Sequence, residues 1–162
     1  VPAQKASDWF MLASLAAPAL LLSQKNARND IGNMGVIVLQ NYLVSMALTS
    51  LTKEKVQRIR PFVYNLNAPL AQKTTRDATT SFFSGHTSSS AIGCFTAAQL
   101  YHDYYPNSPY RPYVWATAAV VPAITAYLRV KGGKHFLTDV LVGYAVGAAV
   151  GILLPRLYYK PQ

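Results

Sequence analysis

The stretch VLVGYAVGAAVGILL, residues 140–154, decides the fold because it is long, apolar and marked by evenly spaced glycines. Gly143, Gly147 and Gly151 are four residues apart, so on a helix they form one stripe that lets a neighbouring helix approach closely. Each glycine costs about 1 kcal/mol relative to alanine in a solvated helix, so three on one face need a reason. The stripe favours a membrane helix, and tight packing in a soluble bundle is the alternative.

Four further apolar stretches precede this one, and each is long enough for a helix: residues 9–23, 31–50, 87–101 and 113–128. They show no sustained period-two alternation, and their Ala, Leu and Val content favours helices that are packed on most of their surface. We therefore predict an all-α fold, a bundle of about five long, membrane-spanning helices.

Composition supports a membrane location. A spanning helix needs roughly 17 to 25 mostly apolar residues, and residues 31–50 meet that length unaided. The other stretches gain length from flanking aromatic residues such as Trp9 and Tyr113, which suit a membrane interface. Hydrophobic residues make up 51% of the chain and charged residues only 13%, a balance that is typical of membrane proteins.

The charge balance favours an anionic partner. Lys and Arg outnumber Asp and Glu by 15 to 6, which gives a net charge of +9. Nucleic acid is not expected, because the cations do not alternate with aromatic residues on a polar face and no nucleic-acid-binding motif occurs. The single cysteine, Cys94, cannot form an internal disulfide and is predicted to be a small core residue.

The segment RVKGGKHFLTD, residues 129–139, places a histidine between cations and a carboxylate. His135 and Asp139 are four residues apart, so on a helix they would share a face. The carboxylate could then hold one imidazole N–H and leave the other nitrogen free, which prepares a nucleophilic or basic histidine. Taken alone, such a pair is more often a helix cap or a surface contact.

The segment FFSGHTSSS, residues 82–90, places Ser84, Gly85 and His86 where the third long helix begins. A glycine turn into a helix N-terminus presents free backbone N–H groups and the positive end of the helix dipole to phosphate oxygens. His86 could donate a proton beside them. In isolation, ordinary N-capping by Ser84 or Thr87, which needs no ligand, is the default explanation, and Gly85 and His86 are the residues that go beyond it.

The segment KEKVQRIRP, residues 53–61, is the third polar cluster. Lys53 and Arg60 are seven residues apart, and we expect them on one face of a helix that Pro61 ends. Together they could bind one phosphate, since Arg offers a planar fork and Lys a point charge. The alternative is a basic flank beside an anionic membrane, and we assign Lys55 and Arg58 to such a flank.

Alternating topology would bring these three segments together. If all five helices cross in turn, the loop after the second and the turn after the fourth emerge on the same side. We then expect one phosphate site at this end of the bundle. Its members would be Lys53, Arg60, Ser84, His86, Arg129, His135 and Asp139.

The ordered motifs are Lys53-x6-Arg60-Pro61, Ser84-Gly85-His86 and Arg129-x5-His135-x3-Asp139. They resemble the type 2 phosphatidic acid phosphatase family, whose signature is K-x6-R-P, P-S-G-H and S-R-x5-H-x3-D. The resemblance covers residues 53–139 and the closing helix. Phe83 stands where the family has proline and Leu128 where it has serine. We expect these departures to alter loop rigidity or substrate fit more than the chemistry.

The resemblance implies a phosphatase that uses no metal and no cofactor. His135 would attack phosphorus and form a phosphohistidine, Asp139 would orient it, and His86 would protonate the leaving oxygen. The implied phosphate-binding residues are Lys53, Arg60, Ser84, Gly85 and Arg129. The substrate would be a membrane lipid phosphate, such as phosphatidic acid, phosphatidylglycerophosphate, undecaprenyl diphosphate or phosphorylated lipid A. Specificity is expected in residues 64–80, the loop over the site.

Two alternatives stay open. The superfamily includes soluble acid phosphatases and vanadate-dependent haloperoxidases, but a short apolar chain favours a membrane lipid phosphatase. The second alternative is a membrane protein that binds anions without catalysis, which would need no ordered histidine pair.

Residues 1–162 are expected to form one domain of this family, and the usual six-helix pattern implies a further helix ahead of residue 1. The resemblance favours an integral protein of the bacterial inner membrane whose site faces the periplasm or exterior. Ten of the fifteen Lys and Arg residues fall on the site side, which by itself would favour the cytoplasm.

Overall fold

The structure, a computed structural model, describes residues 2–158. Within this range the chain forms seven α-helices and no β-strand: α1 Pro2–Ala16, α2 Lys25–Asn29, α3 Ile31–Val56, α4 Leu70–Lys73, α5 Gly85–Tyr104, α6 Arg111–Lys131 and α7 Leu137–Tyr158. Three short 3-10 helices join them: Ala17–Ser23, Pro61–Tyr64 and Arg76–Thr79. The predicted all-α fold is confirmed.

Each of the five predicted stretches is helical, and the helices extend beyond the apolar residues. The first begins at Pro2 rather than near residue 9, and residues 24–30, whose composition suggests a turn, contain the short helix α2. The pattern of apolar residues did not predict the start of α1, because the first turn of this helix is polar. In that turn, Gln4 Nε2 donates to the carbonyl oxygen of Gly132 at 2.9 Å. This contact fastens α1 to the α6–α7 turn.

Among the described residues, four helical segments are long and apolar enough to cross a membrane: Pro2–Ser23, Ile31–Tyr64, Arg111–Lys131 and Leu137–Tyr158. Their outward faces carry exposed leucines, including Leu39, Leu43 and Leu141. The fifth predicted span, residues 87–101, belongs to α5 and is not among the four. Helix α5 packs against α1, α3, α6 and α7, so protein surrounds it and it tolerates buried serine and threonine.

The glycine stripe of α7 packs closely against a neighbouring helix, as the sequence predicts, and that helix is α5. A Cβ on Gly143 would lie 2.6 Å from the Ser84 carbonyl oxygen, and one on Gly147 would lie 2.4 Å from that of Ser88. Only glycine fits at such distances, so the two backbones touch. The start of α7 therefore lies beside the start of α5, where the Ser84 amide donates to the Asp139 carbonyl oxygen at 3.0 Å.

Helix α1 lies close against another face of α5. A Cβ on Gly93 would lie 2.0 Å from the Ser14 carbonyl oxygen, and the hydroxyls of Ser14 and Ser90 are 2.7 Å apart. Cys94 is a free thiol buried in the adjacent core with Phe95, as expected for a small core residue. These contacts set the position of α1 relative to the N-terminus of α5.

Candidate active site

The polar residues singled out by the sequence lie at one end of the bundle, around the last turns of α3 and α6 and the first turns of α5 and α7. Side-chain and backbone contacts connect them there with residues 57–83, which link α3 to α5. The residues at this end are Lys53, Arg60, Ser84, Gly85, His86, Arg129, His135 and Asp139.

His135 is buried in the turn between α6 and α7, and its two ring nitrogens have different partners. Nδ1 lies 2.8 Å from the carbonyl oxygen of Ser81, which can only accept, so Nδ1 carries the proton. We expected Asp139 to accept this proton, but its nearer carboxylate oxygen is 3.7 Å away. That distance is too long for a hydrogen bond, so a backbone carbonyl fixes the tautomer and Asp139 contributes charge.

The other nitrogen of His135, Nε2, lies 3.1 Å from Nη1 of Arg60. A guanidinium can only donate, so Nε2 holds a lone pair. Burial lowers the pKa of His135 from 6.5 to about 4; the nearby Asp139 opposes this shift, and the charges of Arg60 and Arg129 add to it. At neutral pH the ring is therefore neutral with its lone pair on Nε2, the form that attacks an electrophile.

Asp139 is fully buried and accepts three hydrogen bonds from separate segments. They come from the Ser81 hydroxyl at 2.5 Å, the Phe136 amide at 2.9 Å and Nη1 of Arg58 at 2.7 Å. The carboxylate thus joins the residue 81 segment to the start of α7. Arg58, which we assigned to a membrane flank, also lies over the Phe136 ring at 4.4 Å. That assignment is wrong, and Arg58 is part of the site.

Lys53 and Arg60 do not share a helix face as we expected. Helix α3 ends at Val56, and Gln57 adopts a left-handed backbone conformation with φ of 44°. The chain then pairs with the segment before α5: the Arg60 amide donates to the Ala78 carbonyl oxygen at 2.8 Å. These backbone hydrogen bonds turn the chain, and they bring Arg60 to His135 from outside the helix.

The guanidinium of Arg60 is buried and held on several sides. It donates to the Asp77 carboxylate and the Asp77 carbonyl oxygen, both at 2.7 Å, and to the Lys134 carbonyl oxygen at 2.9 Å. Partial burial raises the pKa of Asp77, but the charges of Arg60 and Lys134 outweigh that effect and hold it below its ordinary value. Asp77 is a site residue that the motifs do not include.

The N-terminus of α5 completes another side of the site. The hydroxyl of Ser84 accepts from the Thr87 amide at 3.4 Å, so Ser84 is the N-cap. A Cβ on Gly85 would lie 3.9 Å from Nζ of Lys53, which places that ammonium beside the helix start. Free amides and a cation at one point favour an anion.

Arg129 is almost fully buried in the last turn of α6. Its Nη1 donates to the Ser7 hydroxyl at 3.2 Å and lies 3.5 Å from the Asp8 carboxylate. Its Nε is also buried and has no hydrogen-bond partner among the residues that the structure describes. A phosphate oxygen would satisfy such an N–H group, since buried polar groups are normally paired.

His86 faces α1, where Nε2 lies 2.8 Å from a carboxylate oxygen of Asp8. No local pattern in the sequence predicts this contact, because the two residues are 78 positions apart. The third histidine, His102, lies in the last turn of α5, at the opposite end of that helix from His86. There it contacts Arg111 and packs edge-on against Trp115.

Comparison with known proteins gives a consistent result. The model of the PAP2 superfamily matches residues 34–162. The chain is 24% identical over 154 residues to lipid A 4'-phosphatase from Porphyromonas gingivalis, covering 92% of this chain and 61% of that protein. It is 29% identical over 121 residues to phosphatidylglycerophosphatase B from Bacillus subtilis, covering 74% of this chain and 56% of that protein. The chain thus spans about three fifths of these relatives.

A solved structure shares the fold. The crystal structure of a transmembrane PAP2 type phosphatidylglycerolphosphate phosphatase from Bacillus subtilis superposes with a TM-score of 0.69 at 23% identity, covering 93% of this chain and 69% of that one. Together with the four candidate spans, this transmembrane fold identifies the chain as an integral membrane protein.

Proposed function

The chain belongs to the PAP2 superfamily, and from that premise we propose that it is a membrane phosphatase that removes the terminal phosphate of a lipid through a phosphohistidine at His135. The observation that carries the proposal is the state of His135. Its Nδ1 is held by the Ser81 carbonyl, and its Nε2 holds a lone pair beside the Arg60 cation. A buried neutral imidazole of this kind is suited to in-line attack on a phosphate that the cations hold.

In the first step, Nε2 of His135 attacks phosphorus, and the bond from phosphorus to the lipid oxygen breaks. His86 in its protonated form donates a proton to that oxygen, so the lipid leaves as an alcohol. Negative charge on the transferring group is stabilised by the phosphate-binding set, which comprises Lys53, Arg60, Arg129 and the Ser84–Gly85 start of α5.

In the second step, water attacks the phosphohistidine and His86, now neutral, takes the proton. The bond between phosphorus and Nε2 breaks, inorganic phosphate leaves, and both histidines return to their first state. Asp139 stays ionised throughout, because three hydrogen bonds, one of them from the Arg58 cation, stabilise its charge. The Asp139 carboxylate stabilises the positive charge that the His135 ring carries in the phosphohistidine.

A lipid substrate fits the position of the site at the end of an apolar bundle. The loop beside it exposes Tyr64, Leu66 and Leu70, which suit the interfacial region of a bilayer. Both curated relatives are named for phosphates carried on lipids. The four candidate spans disfavour the alternative of a soluble acid phosphatase or haloperoxidase.

We propose that the protein resides in a bacterial inner membrane with the site facing outward. The exposed residue Asn67 offers the test, since Cys94 is buried and an Asn67→Cys variant carries one accessible thiol. A membrane-impermeant maleimide should label this variant in intact spheroplasts. Labelling only after lysis would place the site in the cytoplasm, as the count of cations favours.

Phosphate release in detergent with a chelator present tests the activity. A panel of lipid phosphates is compared with a small soluble ester for the wild type, His135→Ala and the matched control His102→Ala. We expect chelator-resistant turnover that prefers a lipid, is lost in His135→Ala and persists in His102→Ala. Preference for the soluble ester would support the acid phosphatase alternative, and equal activity of His135→Ala would reject the mechanism.

A further inference from the structure

Asp8 of α1 connects two residues of the site that belong to different motifs. One carboxylate oxygen lies 2.8 Å from Nε2 of His86 and 3.5 Å from Nη1 of Arg129. Asp8 lies ahead of residues 34–162, the region that matches the family model. Neither the motifs nor the proposed mechanism gives it a role.

The position of Asp8 is fixed by the helix that carries it. On the N-terminal side Gln4 donates to the Gly132 carbonyl oxygen, and on the C-terminal side Ser14 contacts Ser90 of α5. Ser7, its neighbour, is fully buried and accepts from Arg129. An ion pair between mobile surface groups contributes little, but here the backbone on both sides of Asp8 is anchored.

The contact determines which nitrogen of His86 can serve a substrate. An ionised carboxylate only accepts, so Nε2 of His86 must be the protonated nitrogen that donates to Asp8. Proton exchange with a substrate is then left to Nδ1. His86 must also become doubly protonated before it can donate. Burial and the Arg129 charge lower the pKa of His86 from 6.5 to about 4, and the Asp8 carboxylate opposes this shift by stabilising the charged form.

We propose that Asp8 is a positioning residue for the leaving-group acid: it holds His86 by Nε2 and supports its charged form, so that Nδ1 protonates the departing lipid oxygen. As the phosphorus–oxygen bond breaks, the proton moves from Nδ1 to that oxygen, and neutral His86 keeps its Nε2 hydrogen bond to ionised Asp8. This inference rests on the proposed function. It extends the catalytic unit to α1.

The same contacts allow an opposite interpretation, and the experiment must distinguish it from a positioning role. A carboxylate between His86 and Arg129 could occupy the place of a phosphate oxygen and compete with substrate. Removing it would then strengthen phosphate binding and leave proton donation intact. A positioning role predicts the reverse, because the loss falls on the step that needs an acid.

Leaving-group dependence gives the decisive measurement. A poor leaving group, such as the alcohol of a short-chain phosphatidic acid, needs protonation, whereas nitrophenolate from p-nitrophenyl phosphate does not. We expect Asp8→Ala to lower kcat on the lipid by about 10- to 100-fold, which is a smaller loss than removal of the acid itself would cause. On the nitrophenyl ester, kcat should change little. Asp8→Glu should recover part of the loss.

Glu54→Gln is the matched control, since Glu54 is an exposed acid at the same end of the bundle that pairs with exposed Arg76. Equal losses on both substrates, or a gain in either, would overturn the proposal. Histidine ¹⁵N spectra provide a second test that needs no turnover: Nε2 of His86 should be protonated in the wild type and lose that preference in Asp8→Ala. If the wild type releases no phosphate, the proposed function fails while the spectra still decide the tautomer.

Discussion

Nη1 of Arg60 lies 3.1 Å from Nε2 of His135, so a guanidinium donates to the very nitrogen that we propose as the nucleophile. The contact keeps the lone pair oriented and the ring neutral. When a phosphate enters, the same N–H group can move to a phosphate oxygen beside the attacking nitrogen. The contact between Arg60 and His135 therefore couples anion binding to release of the nucleophilic nitrogen.

Asp77 should be required for this coupling, because its carboxylate holds Nη2 of Arg60 at 2.7 Å. Asp77→Asn removes the charge but leaves the backbone carbonyl that accepts from Nε. We expect kcat/KM to fall by about tenfold, the size typical for losing a group that orients a functional residue. Glu54→Gln should retain full activity. Wild-type kinetics in Asp77→Asn would show that the other contacts of Arg60 suffice.

The protonation state of His135 can be observed directly. Its pKa is lowered to about 4, chiefly by burial, so the folded protein binds this proton less readily than the unfolded chain, whose histidine has a pKa near 6.5. The contribution of His135 to the free energy of unfolding is therefore fully present above pH 6.5 and is lost as the pH falls towards 4.

We expect ¹⁵N-histidine spectra in detergent to show the Nδ1–H tautomer of His135 persisting at pH 5. The chain has three histidines, and a His135→Gln variant assigns the signal. A titration midpoint near 6.5 would mean that the ring is solvated and would contradict the buried geometry.

Gly143 tests whether the α5–α7 contact positions the site. An alanine methyl there would lie 2.6 Å from the Ser84 carbonyl oxygen, so the two helices would have to separate. Because Ser84 caps α5 and bonds to Asp139, we expect Gly143→Ala to lower both the unfolding temperature and activity. A cost of about 1–3 kcal/mol is typical for overpacking.

Gly35→Ala is the control for Gly143→Ala, since no atom lies within 4 Å of a Cβ at that position. Alanine favours helix, so its effect on stability should be neutral or positive. Thermal unfolding in detergent, measured beside phosphate release, compares the two. Equal effects of both substitutions would remove the argument for close approach at residue 143.

The sequence predicted the all-α fold and the gathering of the three motifs at one end of the bundle, because apolar stretches and motif spacing are local signals. It could not predict the partner of Nδ1 in His135, since the acceptor is the backbone carbonyl of Ser81 and any residue supplies one. It missed Asp8 for a different reason, as that contact depends on how α1 packs against α5. The end of α3 was also misplaced, because Gln57 adopts the left-handed conformation that usually marks glycine or asparagine.

The loop beside the site should determine access to lipid held in a bilayer. Leu66 is 94% exposed and Leu70 is 76% exposed, an arrangement that is costly in water but favourable at a membrane interface. A variant carrying both Leu66→Ser and Leu70→Ser should lose about tenfold or more in kcat/KM on lipid phosphate in vesicles, since burying one leucine contributes about 1.5–3 kcal/mol.

Detergent-dispersed short-chain substrate separates access from chemistry in this double variant. Its turnover should stay close to that of the wild type, because both leucine side chains are largely exposed. Asn67→Ser, a polar change between the two leucines, should leave both assays unchanged. An equal loss in vesicles and detergent would mean that the leucines support the site itself, and unchanged activity in vesicles would show that lipid reaches the site by another path.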